Sequence, residues 1–189
     1  MAWTSRALAV LPVIVAVQTA HAEGERALSV GLSWASFSTP GKKVGSAVPP
    51  DITPDGGGSL SLSYERTFGT DFSLRAELGG AYFHGGDDPK KMQSPSSYAT
   101  FGDVGFVYRF DIYTVVPYAF AGIGGILSGG GPIDQHGSGD EFAVVIGGGA
   151  DWLRARDHSY GVELRIASFA GDITVTTIGF RGTTRWGFF

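Results

Sequence analysis

Three groups of residues carry side chains that can do chemistry. The first is a set of charges spread along the chain, Glu65, Glu77, Asp103, Asp151 and Glu163 against Arg75, Arg109, Arg165, Arg181 and Arg185. Five acids and five guanidinium groups can line a polar passage. They can equally fill an interior as bidentate pairs, a task for which Arg suits better than Lys. The second group is His136-Gly137-Ser138, followed by Asp140 and Glu141. A hydrolase needs a His base within reach of a hydroxyl and a third group to orient the ring. Here those residues sit among Gly129, Gly130, Gly131, Gly137 and Gly139, which hold a fixed geometry poorly, and no Gly-x-Ser-x-Gly elbow occurs. The same stretch (Asp134, His136, Asp140), and His84 with Asp87 and Asp88, offer metal-ligand types at spacings that match no known motif. We expect solvated loops there, with no metal and no cofactor. The third group is Lys42-Lys43 and Lys90-Lys91. Flexible ammonium groups suit phosphate as point charges, and they also keep loops soluble; the sequence leaves both readings open.

Composition narrows the classes that have to position these groups. The chain has 189 residues, 30 of them Gly, with no Cys, 13 % aromatics and only 17 % charged residues. A disordered chain would invert that ratio, and collagen would need a Gly-X-Y period. A formal charge of −4 gives no basic face for nucleic acid. At the start, Arg6, the apolar run from Ala7 to Val17 and Ala20-His21-Ala22 have the three parts of a secretory signal. We expect residues 1–22 to be cleaved, leaving 23–189 as one domain of 167 residues and formal charge −5 after the loss of Arg6. The apolar run is short of the ~20 residues a membrane helix needs. The most apolar later stretch, Val115 to Leu127, is broken by Pro117, Gly122, Gly124 and Gly125.

From residue 27 onward the period is that of strands. Leu28, Val30, Leu32 and Trp34 alternate with Ser29, Gly31, Ser33 and Ala35; Leu60, Leu62, Tyr64 and Phe68 with Ser61, Ser63, Glu65 and Thr67. The pattern recurs over 72–82, 98–110, 142–152, 160–167 and 178–188, and eight strands result. The fifth, over 115–127, is too uniformly small and apolar to phase. In the eighth, Ile173 and Val175 look out of phase, which would fit a bulge near Thr176. Connections alternate long (39–58, 85–95, 128–140) and short (69–70, 112–114, 156–158), with a last tight one near Gly171. Transmembrane barrels show this asymmetry, with short periplasmic turns and longer outside loops.

Alternation alone does not distinguish an apolar face turned outward from one turned inward, as in a soluble ligand-binding barrel. The charges decide it. No Lys falls in a strand, as expected where each midplane Lys or Arg would cost about 2–4 kcal/mol. The polar face is mostly Ser, Gly, Ala and Thr, small enough for the inside of a narrow barrel. Arg66 falls on the apolar face beside a turn, where it can snorkel. Aromatics mark both ends of the apolar strips: Phe68, Phe72, Phe110, Tyr113, Trp152, Tyr160, Trp186 and Phe188 at the turn side, and Trp34, Tyr82 and Tyr98 at the loop side. The expected fold is all-β, an eight-stranded antiparallel up-and-down transmembrane β-barrel. Eight strands leave a lumen just wide enough for side chains, so we expect ion pairs to fill it and no open pore.

The segment Pro117-Tyr118-Ala119-Phe120-Ala121-Gly122-Ile123-Gly124 resembles the Pro-Tyr-x-x-x-Gly-x-Gly strand of the OmpA/OmpX-type superfamily of small outer-membrane barrels, and the chain ends, as they do, in Phe189. The resemblance implies integral residence in a bacterial outer membrane, contact with its lipid and lipopolysaccharide, and recognition of Phe189 by the barrel assembly machinery. Gly187 departs from the aromatic or apolar residue usual two places before that Phe. With an even strand number, both termini are expected in the periplasm and the loops outside, where Lys42, Lys43, Lys90 and Lys91 would meet lipopolysaccharide phosphates. The implied role is structural or surface-interacting, in envelope integrity or adhesion, with an unidentified extracellular ligand. The alternatives are a narrow channel for small solutes and, more remotely, a lipid A-modifying enzyme, whose family places its His-x-Ser motif on a strand rather than a loop.

Overall fold

The computed structural model describes residues 24–39, 53–54, 56–85, 96–110, 114–130, 140–169 and 173–187, with the side chains of 140, 141 and 169 outside the description. Eight strands run in chain order: β1 (Arg26–Ser38), β2 (Gly56–Phe68), β3 (Phe72–His84), β4 (Ser97–Arg109), β5 (Val115–Gly129), β6 (Asp140–Leu153), β7 (His158–Phe169) and β8 (Thr174–Trp186). Each pairs antiparallel with its neighbours, and β8 closes on β1. Gly69, at φ 72°, supplies the left-handed residue in the tight turn between Phe68 and Phe72.

The register fixes the shape. A walk along paired residues from Arg26 passes Arg66, Leu74, Phe106, Ala121, Ile146, Ile166 and Thr176 and returns to β1 at Ser36, ten residues from its start. With a rise of about 3.3 Å and a strand spacing of about 4.8 Å, that stagger tilts the strands about 40° to the axis. Phe72 to Tyr82 then spans about 25 Å along the axis, the height of a barrel's apolar band.

The outward face carries that band. Leu32, Phe106 and Phe180 are 68 %, 67 % and 74 % exposed, and Leu28, Val30, Leu62, Leu78, Val104, Ile123, Val144, Ile146, Leu164 and Ile178 share the face. Water would penalise such a surface at about 25 cal/mol per Å², so the barrel is a transmembrane one. Tyr82 pairs with Tyr98 at one end, and Trp152 with Tyr160 at the other, where Phe72 and Phe110 both pack on Tyr108. Trp34 and Trp186 lie at opposite ends of the neighbouring β1 and β8. Tyr113 and Phe188 lie outside the described residues.

Two strands correct the sequence reading. β5 has a definite phase, with Tyr118, Phe120 and Ile126 buried and Ala119, Ala121, Ile123 and Leu127 outward. β8 has no bulge: its register with β1 runs unbroken from Arg26–Trp186 to Ser38–Thr174. Ile173 and Val175 face inward because the lumen there is apolar.

Candidate functional site: the barrel lumen

Every second residue of each strand points inward, so the ten strand charges converge from six strands on one axis. Small neighbours make the room. Across the sheet from Arg75 lies Gly105, itself opposite Gly122. A Cβ on Gly147 would meet the Phe120 ring at 2.6 Å, and one on Gly149 the Tyr118 hydroxyl at 2.5 Å. Large interior side chains are thus seated on glycines, a taper-filling device of narrow barrels.

The pairs form tiers. At the short-turn mouth, Arg185 meets Glu25 at 3.1 Å and Asp151 at 3.0 Å, and donates to Ser159 Oγ at 2.7 Å. Opposite, Arg109 meets Glu65 at 2.5 Å and donates to Ser73 Oγ at 2.8 Å. Above them Arg181 grips Asp151 with two bonds, 2.9 and 2.6 Å, the fork geometry in which Arg–carboxylate pairs are strongest. Glu163 Oε2 accepts from Arg75 at 2.7 Å, the Tyr118 hydroxyl at 2.7 Å and Arg181 at 3.4 Å. Near mid-barrel, Arg165 bonds Glu77 at 2.6 Å and also Asp103. Each of the ten charges has an ionic partner within 4 Å.

Aromatic rings complete the packing. The Arg75 guanidinium lies 4.9 Å from the Phe120 ring and 5.2 Å from Tyr118, Arg181 lies 4.3 Å from Tyr118, and Arg165 4.6 Å from Phe101. Desolvated cation–π contacts of this kind are worth about 2 kcal/mol or more. Arg75 is the least satisfied member. Its Nε is 3.7 Å from Glu65 Oε2, too far for a hydrogen bond, and Nη2 has no hydrogen-bond partner.

Toward the long-loop end the lumen changes character. Phe37 and Phe83, 2 % and 0 % exposed, stack edge to face at 5.0 Å. Ile126, Val145, Ile173, Val175 and the alanines 35, 81, 99, 143 and 167 surround them. This apolar stopper was not read from the sequence; Glu25, just before β1, and the inward rings of Phe101, Tyr118 and Phe120 were missed too. Their signal was available only as an apolar residue on the polar phase, as at Phe37 and Phe83. Between stopper and turn mouth a cavity of about 10 Å³ lies against Ser29, Ser33, Ser61, Ser63, Glu77 and Glu163, room for about one water.

Lys42, Lys43, Lys90, Lys91, His136, Ser138, Phe188 and Phe189 lie outside the described residues. Among the described residues, no three His, Asp or Glu side chains gather as a metal site. At the turn between β6 and β7, His158 Nδ1 meets Asp157 Oδ1 at 2.9 Å and holds that carboxyl below its ordinary range.

Solved structures share this architecture. Neisserial surface protein A is 11 % identical, with 84 % of this chain and 96 % of that one covered and a TM-score of 0.63. The attachment invasion locus protein Ail of Yersinia pestis, in complex with the heparin analogue sucrose octasulfate, is 16 % identical over 87 % of this chain and all of that one, TM-score 0.54. OprG from Pseudomonas aeruginosa is 11 % identical over 85 % and 95 %, TM-score 0.54. This chain has the fold of the small eight-stranded outer-membrane barrels, OmpA/OmpX-like in form. At such identities the likeness carries the fold alone. No protein-family model and no curated protein matches the chain.

Proposed function

We propose that the chain is a non-catalytic, integral protein of a bacterial outer membrane, closed to diffusion and working through its surface. One observation carries this reading: the lumen is crossed twice in series, by ion-pair tiers on the short-turn side and by the Phe37–Phe83 pair on the long-loop side. A barrel built this way is a rigid post for its loops, and long loops on a rigid scaffold are where binding resides. In this reading residues 1–22 are a cleaved signal, both termini are periplasmic, and Phe189 addresses the assembly machinery. The long connections face outward, so Lys42, Lys43, Lys90 and Lys91 meet lipopolysaccharide phosphates or another polyanion. The neighbour Ail, crystallised with a polysulfated sugar, is in keeping with that chemistry.

The test is single-channel recording on the refolded barrel in a planar bilayer. With insertion verified, a silent membrane is expected. Discrete, reproducible conductance steps would overturn the sealed lumen. They would favour the narrow-channel reading, for which the serine-lined cavity beside Glu77 and Glu163 offers the start of a water path.

A further inference from the structure

Charge in the lumen balances at the short-turn mouth and not at mid-barrel. Glu77 and Asp103 are direct cross-strand partners on β3 and β4, both buried, at 5 % and 8 % exposure. Among the described residues, the ionic partner that each has within 4 Å is the same one, Arg165. Two carboxylates therefore share one guanidinium. Nearer the mouth Glu65, Asp151, Glu163 and the rim's Glu25 stand against Arg75, Arg109, Arg181 and Arg185, four against four. The surplus negative charge thus sits in the tier of Glu77. Like charges directly opposite weaken a sheet, and a buried charge without compensation is costly.

Beside that tier lies the serine-lined chamber, which Glu77 and Glu163 both border. Its volume of about 10 Å³ is that of one water, and a sodium ion is no larger. Glu77 gives Oε1 to Arg165, and Glu163 gives Oε2 to Arg75, Tyr118 and Arg181. Each keeps a second carboxylate oxygen outside those bonds. Ser33, Ser61 and Ser63 border the chamber as well. Ser63 is 5 % exposed, and among the described residues its hydroxyl bonds no other side chain. The space depends on Gly31, where a Cβ would meet Ser61 Oγ at 2.7 Å. Arg181 lies alongside, its guanidinium held in the fork to Asp151. Carboxylate and hydroxyl oxygens are ligands of hard cations. Two carboxylates among neutral hydroxyls, with an arginine nearby, suit one positive charge rather than two.

We propose that this chamber binds one monovalent cation of sodium size, held by Glu77, Glu163 and the hydroxyls of Ser33, Ser61 and Ser63. The ion supplies the positive charge that the mid-barrel tier lacks. Enclosed as the barrel closes, it ties β1 and β2, which bring the serines, to β3 and β7, which bring the carboxylates.

The test is equilibrium urea unfolding of the refolded full chain in phosphatidylcholine vesicles, in sodium chloride and in choline chloride at one ionic strength of about 0.15 M. Choline is too large for the chamber, and the shared ionic strength keeps screening equal. A ligand of the folded state alone lowers the unfolding constant, here by an expected factor of about ten in sodium. Glu77→Gln removes the surplus charge and Gly31→Ala fills the space, so each should bring the two curves together. Glu25→Gln, at the wet rim, should keep them apart. Coincident curves for the wild type would overturn the site, leaving a water in the chamber and a proton on the carboxylates; this comparison decides even if a variant does not fold. A sodium effect that persists in Glu77→Gln would place the ion elsewhere and overturn it as well. The unfolding equilibrium reads the ion whether or not the lumen conducts, so the result stands apart from the planar-bilayer recording.

Discussion

Arg165 shows what a single side chain contributes here. Its guanidinium bridges Glu77 and Asp103, two carboxylates that face each other across β3 and β4. A buried pair is weak evidence of net stabilisation, but removing one partner strands the other charge in a poor solvent. Arg165→Met is expected to destabilise the barrel by about 3–5 kcal/mol, read by urea unfolding from lipid vesicles. Adding Glu77→Gln and Asp103→Asn should recover most of the loss. No recovery would mean that Arg165 acts through packing on Phe101 rather than through charge. Such roles were partly readable in advance. Arg in place of Lys and five acids against five bases pointed to pairing, but which acid met which base depended on a stagger that no residue spacing reveals.

At the scale of strands, alternation located all eight, and it misled in two places for one reason. Apolar residues face out wherever the lumen is polar, and face in where the lumen is apolar. Ile173 and Val175 looked out of phase because they belong to the stopper. β5 resisted phasing because its large residues, Tyr118 and Phe120, point inward over Arg75 while Ala119 and Ala121 face out. Phe37 and Phe83, from β1 and β3, define that apolar tier. Phe83→Ala alone should cost about 3–5 kcal/mol, measured by the same unfolding. Phe37→Ala combined with Phe83→Ala removes the stopper but leaves the ion-pair tiers, so the planar bilayer should stay silent. Conductance in that double variant would assign the seal to the rings alone.

For the molecule as a whole, the belt fixes where the membrane lies. A charge introduced at mid-belt should be far costlier than one at the rim. Leu62→Lys is expected to cost about 2–4 kcal/mol and Phe72→Lys, at the turn-side interface, about 0–1 kcal/mol, both read as unfolding free energies in vesicles. Equal costs would mean that the lipid does not sit where the belt places it. The ten-residue return of the register has a last consequence. Arg26, at the head of β1, is the sheet partner of Trp186, at the foot of β8, just as Phe68 is the partner of Phe72 across a tight turn. The join between last strand and first is thus one more seam like the others, lacking only a covalent link. The eight strands form a cyclic order in which no strand is first, and the same cylinder could be written by a chain opened at Gly69 and ligated between β8 and β1.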